Sequence, residues 1–383
     1  LHKYLVGGAV RDFILKSKIR DKDWVVLGSN KKKMFEKGFL QVGKFFPVFI
    51  HPISKEEYAL ARTDTKIGKK HTDFKTNYNL NITLIKDLKR RDITINAIAM
   101  DKYGNFIDPC KGLEDLKNKI IQNISSSFEE DPLRIFRVAS FAARLKHLNF
   151  YVTDKTIFFM KKMIKRGDLK YISIERIWKE TEKALKSQNP HIYFYILYKC
   201  KALKKIFVEF YNSIKKKIKK NKNNEKKIIN IFKININKIS DISIIFALFC
   251  LKFNIKNIKL IKSLGRRIKI PLKIINFAIL VFLYQKYIDN IKYKSSKYVI
   301  NLLNKIDCWK RPYVIKKISL VKYLHTNNKN KRKLSDSFFF YKYFYLVKNI
   351  DIKNIVKKNY DSLSIRISLN NQRILYLNKY RNY

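Results

Sequence analysis

The sequence predicts an α+β fold, with a small mixed sheet in the first third of the chain and helices alone after it. Three observations support this. The 10 Gly and 7 Pro of the 383 residues fall mostly before residue 125. There they punctuate short apolar runs of strand length. From residue 128 onward, apolar residues instead recur at three- and four-residue steps, the helical period.

In chain order, Tyr4-Leu5-Val6 reads as a strand, Ala9 to Lys16 as a helix and Trp24 to Leu27 as a second strand. Phe46 to Ile50 and Tyr58 to Arg62 give two more, the latter alternating. The sheet is expected to carry its helices on one side. Asp131-Pro132 opens a helix whose apolar stripe is Leu133, Phe136, Phe141 and Leu145, proline being suited to a first turn. Lys215 to Lys227 has almost no apolar residue and reads as a solvated loop or frayed helix end. The last fifteen residues read as poorly ordered. No internal repeat is present. The expected division is a head over 1–125, a helical neck over 126–200, and a helical body and tail over 201–383.

Charge narrows the function classes. Lys+Arg number 84 and Asp+Glu 30, a formal net charge of +54, which excludes a small acidic binding module. Scarce Gly and Pro beside abundant Lys, Ile, Asn, Phe and Tyr also match A+T-rich codons, so part of the excess reflects coding composition. The remainder still attracts polyanions, nucleic acid first among them. Hydrophobic residues at 46% suffice for sizeable cores. Cys110, Cys200, Cys250 and Cys308 lie far apart with no CxxC pair, and read as reduced thiols. Long apolar runs without charge, such as Ile242 to Leu251 and Ile274 to Gln285, are too short to span a bilayer. With no signal-peptide pattern at the first residues, a soluble cytoplasmic protein is expected.

Four motifs carry chemistry. In Leu5-Val6-Gly7-Gly8-Ala9-Val10-Arg11-Asp12 a strand enters a helix through two glycines, a turn whose N–H groups can approach a phosphate. Arg11 adds a bidentate phosphate donor on the same side. In Asp21-Lys22-Asp23 the two carboxylates face one way and Lys22 the other. Such a pair is costly unless a cation sits between, and Mg²⁺ suits oxygen ligands best. Lys89-Arg90-Arg91-Asp92-Ile93-Thr94-Ile95-Asn96 suits triphosphate binding and ribose recognition. In Glu130-Asp131-Pro132-Leu133-Arg134-Ile135-Phe136-Arg137, the residues Asp131, Arg134 and Arg137 step by three and are expected on one helix face. Cytosine and adenine share an exocyclic amino donor beside a ring-nitrogen acceptor. One Asp and one Arg can therefore select both and reject uracil and guanine.

The ordered set GGAVRD, DKDWVV, EYALARTD, RRDITINA and EDPLRIFRVASFAARL resembles the class II tRNA nucleotidyltransferases, the bacterial CCA-adding enzymes of the polymerase-β-like superfamily. The likeness is specific over residues 1 to about 200, including Phe46-Pro47-Val48-Phe49 and Glu175-Arg176-Ile177-Trp178-Lys179-Glu180. It is weaker through Leu264 to Pro271 and Ile306 to Pro312. The resemblance implies a polymerase-β-like head and addition of CCA to tRNA from CTP and ATP, with pyrophosphate released. It implies a two-ion Mg²⁺ site on Asp21 and Asp23, the catalytic pair. Gly8 and Arg11 would contact the nucleotide, Arg91 the triphosphate, and Asp92 and Asn96 the ribose. Asp131 and Arg134 would read the base, with Arg137 in support. The family's further Arg three residues after Arg137 is Ser140 here, and Glu57 is the candidate for a third carboxylate.

The tRNA would be held at its acceptor end and elbow, and no membrane or obligate protein partner is implied. A bacterial poly(A) polymerase shares this head, and a non-catalytic RNA-binding remnant is the reading from another class. Some relatives carry a His-Asp phosphohydrolase in the body. Here Leu251-Lys252 stands where the His-Asp doublet would, so a degenerate domain is expected.

Overall fold

The computed structural model describes the whole chain except residues 1, 20, 44–47, 67, 69–73, 79, 222–223, 235, 237–238, 256, 327–330, 351–360 and 382–383. Phe46 and Pro47, expected to begin a strand, therefore lie outside the described residues. The chain divides into two compact units, Leu1–Val208 and Glu209–Tyr383.

The first unit opens with β1 (His2–Val6), α1 (Gly8–Ile14), β2 (Asp23–Leu27), α2 (Lys31–Glu36), β3 (Leu40–Val42), β4 (Val48–Ile50) and β5 (Glu57–Leu60). A hairpin of β6 (Thr63–Lys66) and β7 (Phe74–Asn77) precedes α3 (Leu84–Lys89), β8 (Ala99–Met100), β9 (Phe106–Ile107) and α4 (Gly112–Lys117). The main sheet has seven strands in the order β3-β4-β5-β2-β1-β8-β9. It is mixed because β2 runs parallel to β5 while its other pairings are antiparallel. Strand β2 thus lies centrally, with Asp23 opposite Glu57 of β5.

Val25 and Val26 explain how the sheet is covered. Successive strand residues point to opposite faces, and both valines are buried. Val25 packs with Leu84 and Leu88 of α3, and Val26 with Met34 of α2. Helices therefore cover both faces, where one-sided cover was expected. Two adjacent β-branched apolar residues require it. Helices α2 and α3 start where Asn30 and Thr83 accept from the backbone N–H groups of Lys33 and Lys86.

The unit continues through the small parallel pair β10 (Ile120–Ile121) with β11 (Tyr151–Val152), and helices α5 (Arg134–Leu145), α6 (Asp154–Arg166), α7 (Ile174–Leu185), α8 (Pro190–Lys199) and α9 (Leu203–Ile206). Helix α5 begins three residues later than Asp131-Pro132 suggested. Asp131 closes an Asx turn onto the Leu133 N–H at 3.0 Å, and the first bonds back to Asp131 and Pro132 are of the tight three-residue kind.

The second unit is helical: α10 (Val208–Lys220, entered at Glu209), α11 (Glu225–Phe232), α12 (Ile242–Lys252), α13 (Ile258–Ile268), α14 (Leu272–Tyr284), α15 (Ser296–Ile306), α16 (Tyr313–His325), α17 (Lys331–Lys348) and α18 (Ser362–Arg381). Two expectations change here. Most of Lys215–Lys227 is helical, in α10 and the first turn of α11. Ile214, Ile218 and Ile228 supply buried contacts that outweigh the lysines' preference for solvent. The last fifteen residues belong largely to α18. There Arg373 stacks on Trp309 with its guanidinium carbon 3.4 Å from the ring centroid, and Leu377 is fully buried. No described helix is long and apolar enough to cross a membrane.

Gly112, at the start of α4, lies against the turn at Thr94–Asn96. A Cβ there would collide with the Thr94 carbonyl and the Ile98 side chain. Gly112→Ala should cost about 1–3 kcal/mol by overpacking against backbone that cannot yield, measured as a lower urea midpoint at unchanged slope.

Candidate active site

The site is a cleft of about 650 Å³ in the first unit. The residues assigned to the site in the sequence line it, namely Gly8, Arg11, Asp21, Asp23, Arg91, Asp92, Asn96, Asp131, Arg134 and Arg137, whereas the third-carboxylate candidate Glu57 is not in the lining. Gly7, Arg62, Arg90, Phe141, Arg144, Arg176 and Lys183 join them.

The floor is the β1–α1 turn. Gly7 takes φ +69°, and a Cβ there would stand 3.0 Å from a terminal nitrogen of Arg91. Glycine is thus required by the backbone conformation, and a side chain there would also push the Arg91 guanidinium aside by a few tenths of an ångström. Arg91 is held in turn by Asp87 of α3. Asp87 is fully buried and accepts from Arg90 at 2.5 Å and from Arg91 at 3.2 Å. Burial pushes its carboxyl upward, but the two arginines outweigh this and hold it below the usual range. Asp87 was missed in the sequence. Its signal was the spacing: an acid three and four residues before Arg90-Arg91 on a helix.

Asp92 anchors a second part of the lining. It is buried, accepts from Arg137 Nε at 2.6 Å and from the Ile93 N–H at 2.9 Å, and is approached by the Asn96 amide at 3.4 Å. Burial again opposes ionisation, and Arg137 overcomes it, so Asp92 titrates low while the charge of Arg137 is reinforced. Asn96 accepts from Arg11 at 2.7 Å, and Arg11 also clasps Asp12 through Nε and its other terminal nitrogen. Arg11 is only 2% exposed. The free bidentate donor expected there is instead a strut, held by the adjacent Asp12 and, across the fold, by Asn96. The ring of Phe141 gathers Arg11, Arg137 and Arg144 at 5.4, 5.6 and 5.1 Å. Ser140 is buried outside this lining, and the cleft arginine nearby is Arg144, one helical turn further on.

Asp131 does not share a helix face with Arg134 and Arg137, since it precedes α5. It still reaches the cleft and pairs with Arg176 of α7 at 2.9 Å. Arg134 donates to the carbonyls of Ser127 at 2.9 Å and Arg90 at 2.6 Å. A guanidinium has five N–H groups and a carboxylate about four lone-pair positions. Both side chains therefore keep unused capacity for a ligand.

Asp21 and Asp23 open onto the same cleft, and neither carboxylate makes a hydrogen bond or ion pair with another described residue. Lys22 turns away to Glu56 at 3.2 Å. Although Asp23 is exposed to the cleft, surrounding protein withdraws solvent and raises its carboxyl, and Asp21 adds to the rise while Arg91 and Arg137 oppose it. Glu57, beside Asp23 in the sheet, is raised by desolvation first and then by Asp23 and Asp21. Among the described residues no three His, Cys, Asp or Glu side chains are grouped to hold a metal ion together. The donor set, two unpaired carboxylates amid cations, nevertheless suits a hard divalent ion bound partly by a phosphate ligand.

The comparisons with known proteins agree with this chemistry. Residues 3–122 match the Poly A polymerase head domain, and residues 149–213 match the probable RNA and SrmB-binding site of polymerase A. A CCA-adding enzyme of Buchnera aphidicola subsp. Acyrthosiphon pisum (strain Tuc7) is 42% identical over 401 aligned positions, covering 99% of this chain and 97% of the relative. The chain belongs to the CCA-adding enzyme family. A CCA-adding enzyme of Blochmanniella pennsylvanica is 39% identical over 407 positions, covering all of this chain and 99% of its own. Nucleotidyltransferases of this kind generally use divalent metal ions. In fold, the chain is similar to the Bacillus stearothermophilus CCA-adding enzyme in complex with CTP, with TM-score 0.66 and 20% identity over 98% of this chain and 89% of that one. The Thermotoga maritima CCA-adding enzyme complexed with tRNA gives 0.67 and 20%, over 98% and 87%.

Asp87 and Asp92 both have depressed pKa values, so their stabilisation is complete above the ordinary carboxylate value near 3.8 and is lost as pH falls through the lower folded values. Asp87→Asn should cost about 1–3 kcal/mol at neutral pH. It should also flatten the acid limb of a stability–pH curve measured by urea unfolding.

Proposed function

We propose that this chain adds CCA to the 3′ end of tRNA without a nucleic-acid template, using CTP and ATP and releasing pyrophosphate. The single observation that carries the reading is the convergence on one cleft of an unpaired carboxylate pair, a glycine turn abutting Arg91, and the Asp131–Arg134 pair. Full-length similarity to CCA-adding enzymes supports it over the alternatives.

In this reading the Gly7-Gly8 turn and Arg91 cradle the triphosphate, with Gly8 and Arg11 bounding the nucleotide. Asp92 and Asn96 hold the ribose side, and Arg137 keeps Asp92 ionised and aimed. Asp131 accepts from the exocyclic amine of cytosine or adenine and Arg134 donates to the adjacent ring nitrogen, while Arg176 fixes Asp131. Asp21 and Asp23 would hold a two-ion Mg²⁺ site, whose chemistry when occupied is to acidify the terminal 3′-hydroxyl and neutralise charge on departing pyrophosphate. Glu57 is placed to raise the negative potential at that site. Positioning and charge neutralisation supply the acceleration, and no covalent enzyme intermediate is needed. The head, neck, and body with tail would follow the divisions 1–125, 126–200 and 201–383, in a cytoplasmic enzyme.

The body reads as a tRNA-binding scaffold that has lost a His-Asp phosphohydrolase site. Leu251 and Lys252 end α12 where ligands would stand, and the half-buried Lys252 ammonium is lowered by burial and by Lys217. A cation there repels a metal ion.

Incubating the protein with tRNA lacking its 3′ end, and CTP and ATP separately and together, should give C addition followed by a single A. Repeated A addition to any RNA would indicate a poly(A) polymerase. Asp21→Asn or Asp23→Asn should lower turnover at least about a thousandfold; unchanged turnover would indicate a different reaction centre. Hydrolysis of 2′,3′-cyclic phosphates with Ni²⁺ or Mg²⁺ should be absent; hydrolysis by the pure protein that mutation of the body abolishes would contradict the scaffold reading.

A further inference from the structure

Lysine outnumbers arginine 67 to 17 in this chain. Where coding composition favours lysine so heavily, arginine survives where its planar, multidentate guanidinium is needed. The first unit shows the pattern: of its nine described arginines, eight line the active-site cleft and only Arg166 does not. The chain contains two adjacent arginine pairs, Arg90-Arg91 in that cleft and Arg266-Arg267 on α13 of the second unit.

Helix α13 is built to present charge. Ile261, Leu264, Gly265 and Ile268 are buried, while Lys259, Lys262 and Arg266 are exposed at three- and four-residue steps along one face. The face borders a shallow concavity of about 550 Å³ lined by Lys259, Lys262, Ser263, Arg266 and Arg267. Gly265 presses the opposite side onto α14, where a Cβ would collide with Ile275. Arg267 is tied to Glu209 at the start of α10. No acidic residue occurs in the sequence between Asp241 and Asp289. The side chains of Lys259, Lys262 and Arg266 make no hydrogen bond or ion pair with another described residue. A rigid row of unpaired cations is unfavourable in the free protein and complements a polyanion.

We propose that this face of α13 docks the phosphate backbone of the tRNA, with Arg266 as its bidentate contact and Lys259 and Lys262 as point charges beside it. This deepens the CCA-adding reading and rests on it. The face spans about 10 Å along the helix axis, enough for successive phosphates of one strand and too little for base readout. The contact is therefore indifferent to tRNA sequence and sensitive to salt.

The test uses the full chain and tRNA lacking CCA, titrated from low to moderate salt, with CTP affinity measured in parallel. The triple variant Lys259→Ser, Lys262→Ser, Arg266→Ser should bind tRNA at least about tenfold more weakly, with the log–log salt slope reduced by about one for each lost contact. Its CTP affinity should be unchanged. Arg266→Lys should recover only part of the loss, because lysine lacks the fork. A control triple, Lys215→Ser, Lys216→Ser, Lys219→Ser on α10, removes the same charge from the lysine-rich run. Equal weakening in the control, or unchanged affinity and slope in the α13 triple, overturns the proposal. Failure of the unaltered protein to bind tRNA overturns instead the functional reading beneath it.

Discussion

The buried carboxylate of Asp92 is the constraint on which the first unit's cleft depends. It ties the Thr94–Asn96 turn to α5 through Arg137, and through Asn96 it reaches Arg11 on α1. Cations lining one cavity repel one another, so a cavity of arginines alone would tend to open. Asp92 and Asp87 prevent this from inside the wall, each buried and each satisfied by guanidinium and backbone donors. Because the anchoring acids are spent on the protein, the cleft surface keeps a net positive face for a polyphosphate. The two carboxylates left unspent, Asp21 and Asp23, are the ones that face it.

That division between structural and available charge runs through the cleft. Asp12, Asp87 and Asp92 hold arginines; Asp21 and Asp23 hold no described residue. Arg11 is nearly inaccessible, whereas Arg134 and Arg176 are partly open to solvent. Pre-paying orientation in this way suits a reaction in which the enzyme contributes position and field rather than covalent chemistry. Phe141 adds to this, since its ring lies within cation–π distance of three guanidiniums, of which Arg11 and Arg137 are also held by Asp12 and Asp92.

The second unit solves a different problem. Its helices α12 and α14 are apolar around most of their surface and form an interior, leaving lysine-rich helices outside. Ion pairs such as Asp241–Lys317 at 2.6 Å and the Lys322–Asp289 contact link helices distant in sequence. Composition here reports the coding bias more than the function, so lysine counts say little. The scarce arginines say more, at α13 and where Arg373 seats α18 on Trp309.

Local chemistry was legible in the residues. The glycine turn, the Asp21–Asp23 pair, Arg91 and the Asp131–Arg134 pair are short-range patterns, and the structure brings all of them to one cleft. Strand and helix order in the first third followed from apolar runs and turn residues. What depended on long-range packing was not legible. Burial of Ile218 and Leu377 made helices of segments whose composition favours solvent. Covering both faces of β2 required α2 and α3 to arrive from separate parts of the chain. Arg11 became a strut because Asn96, 85 residues away, accepts from it. Arg144 and Arg176 reach the site only through the packing of α5 and α7. A pattern within one turn of chain is set by covalent spacing, whereas a side chain's partner across the fold is chosen only when the core closes.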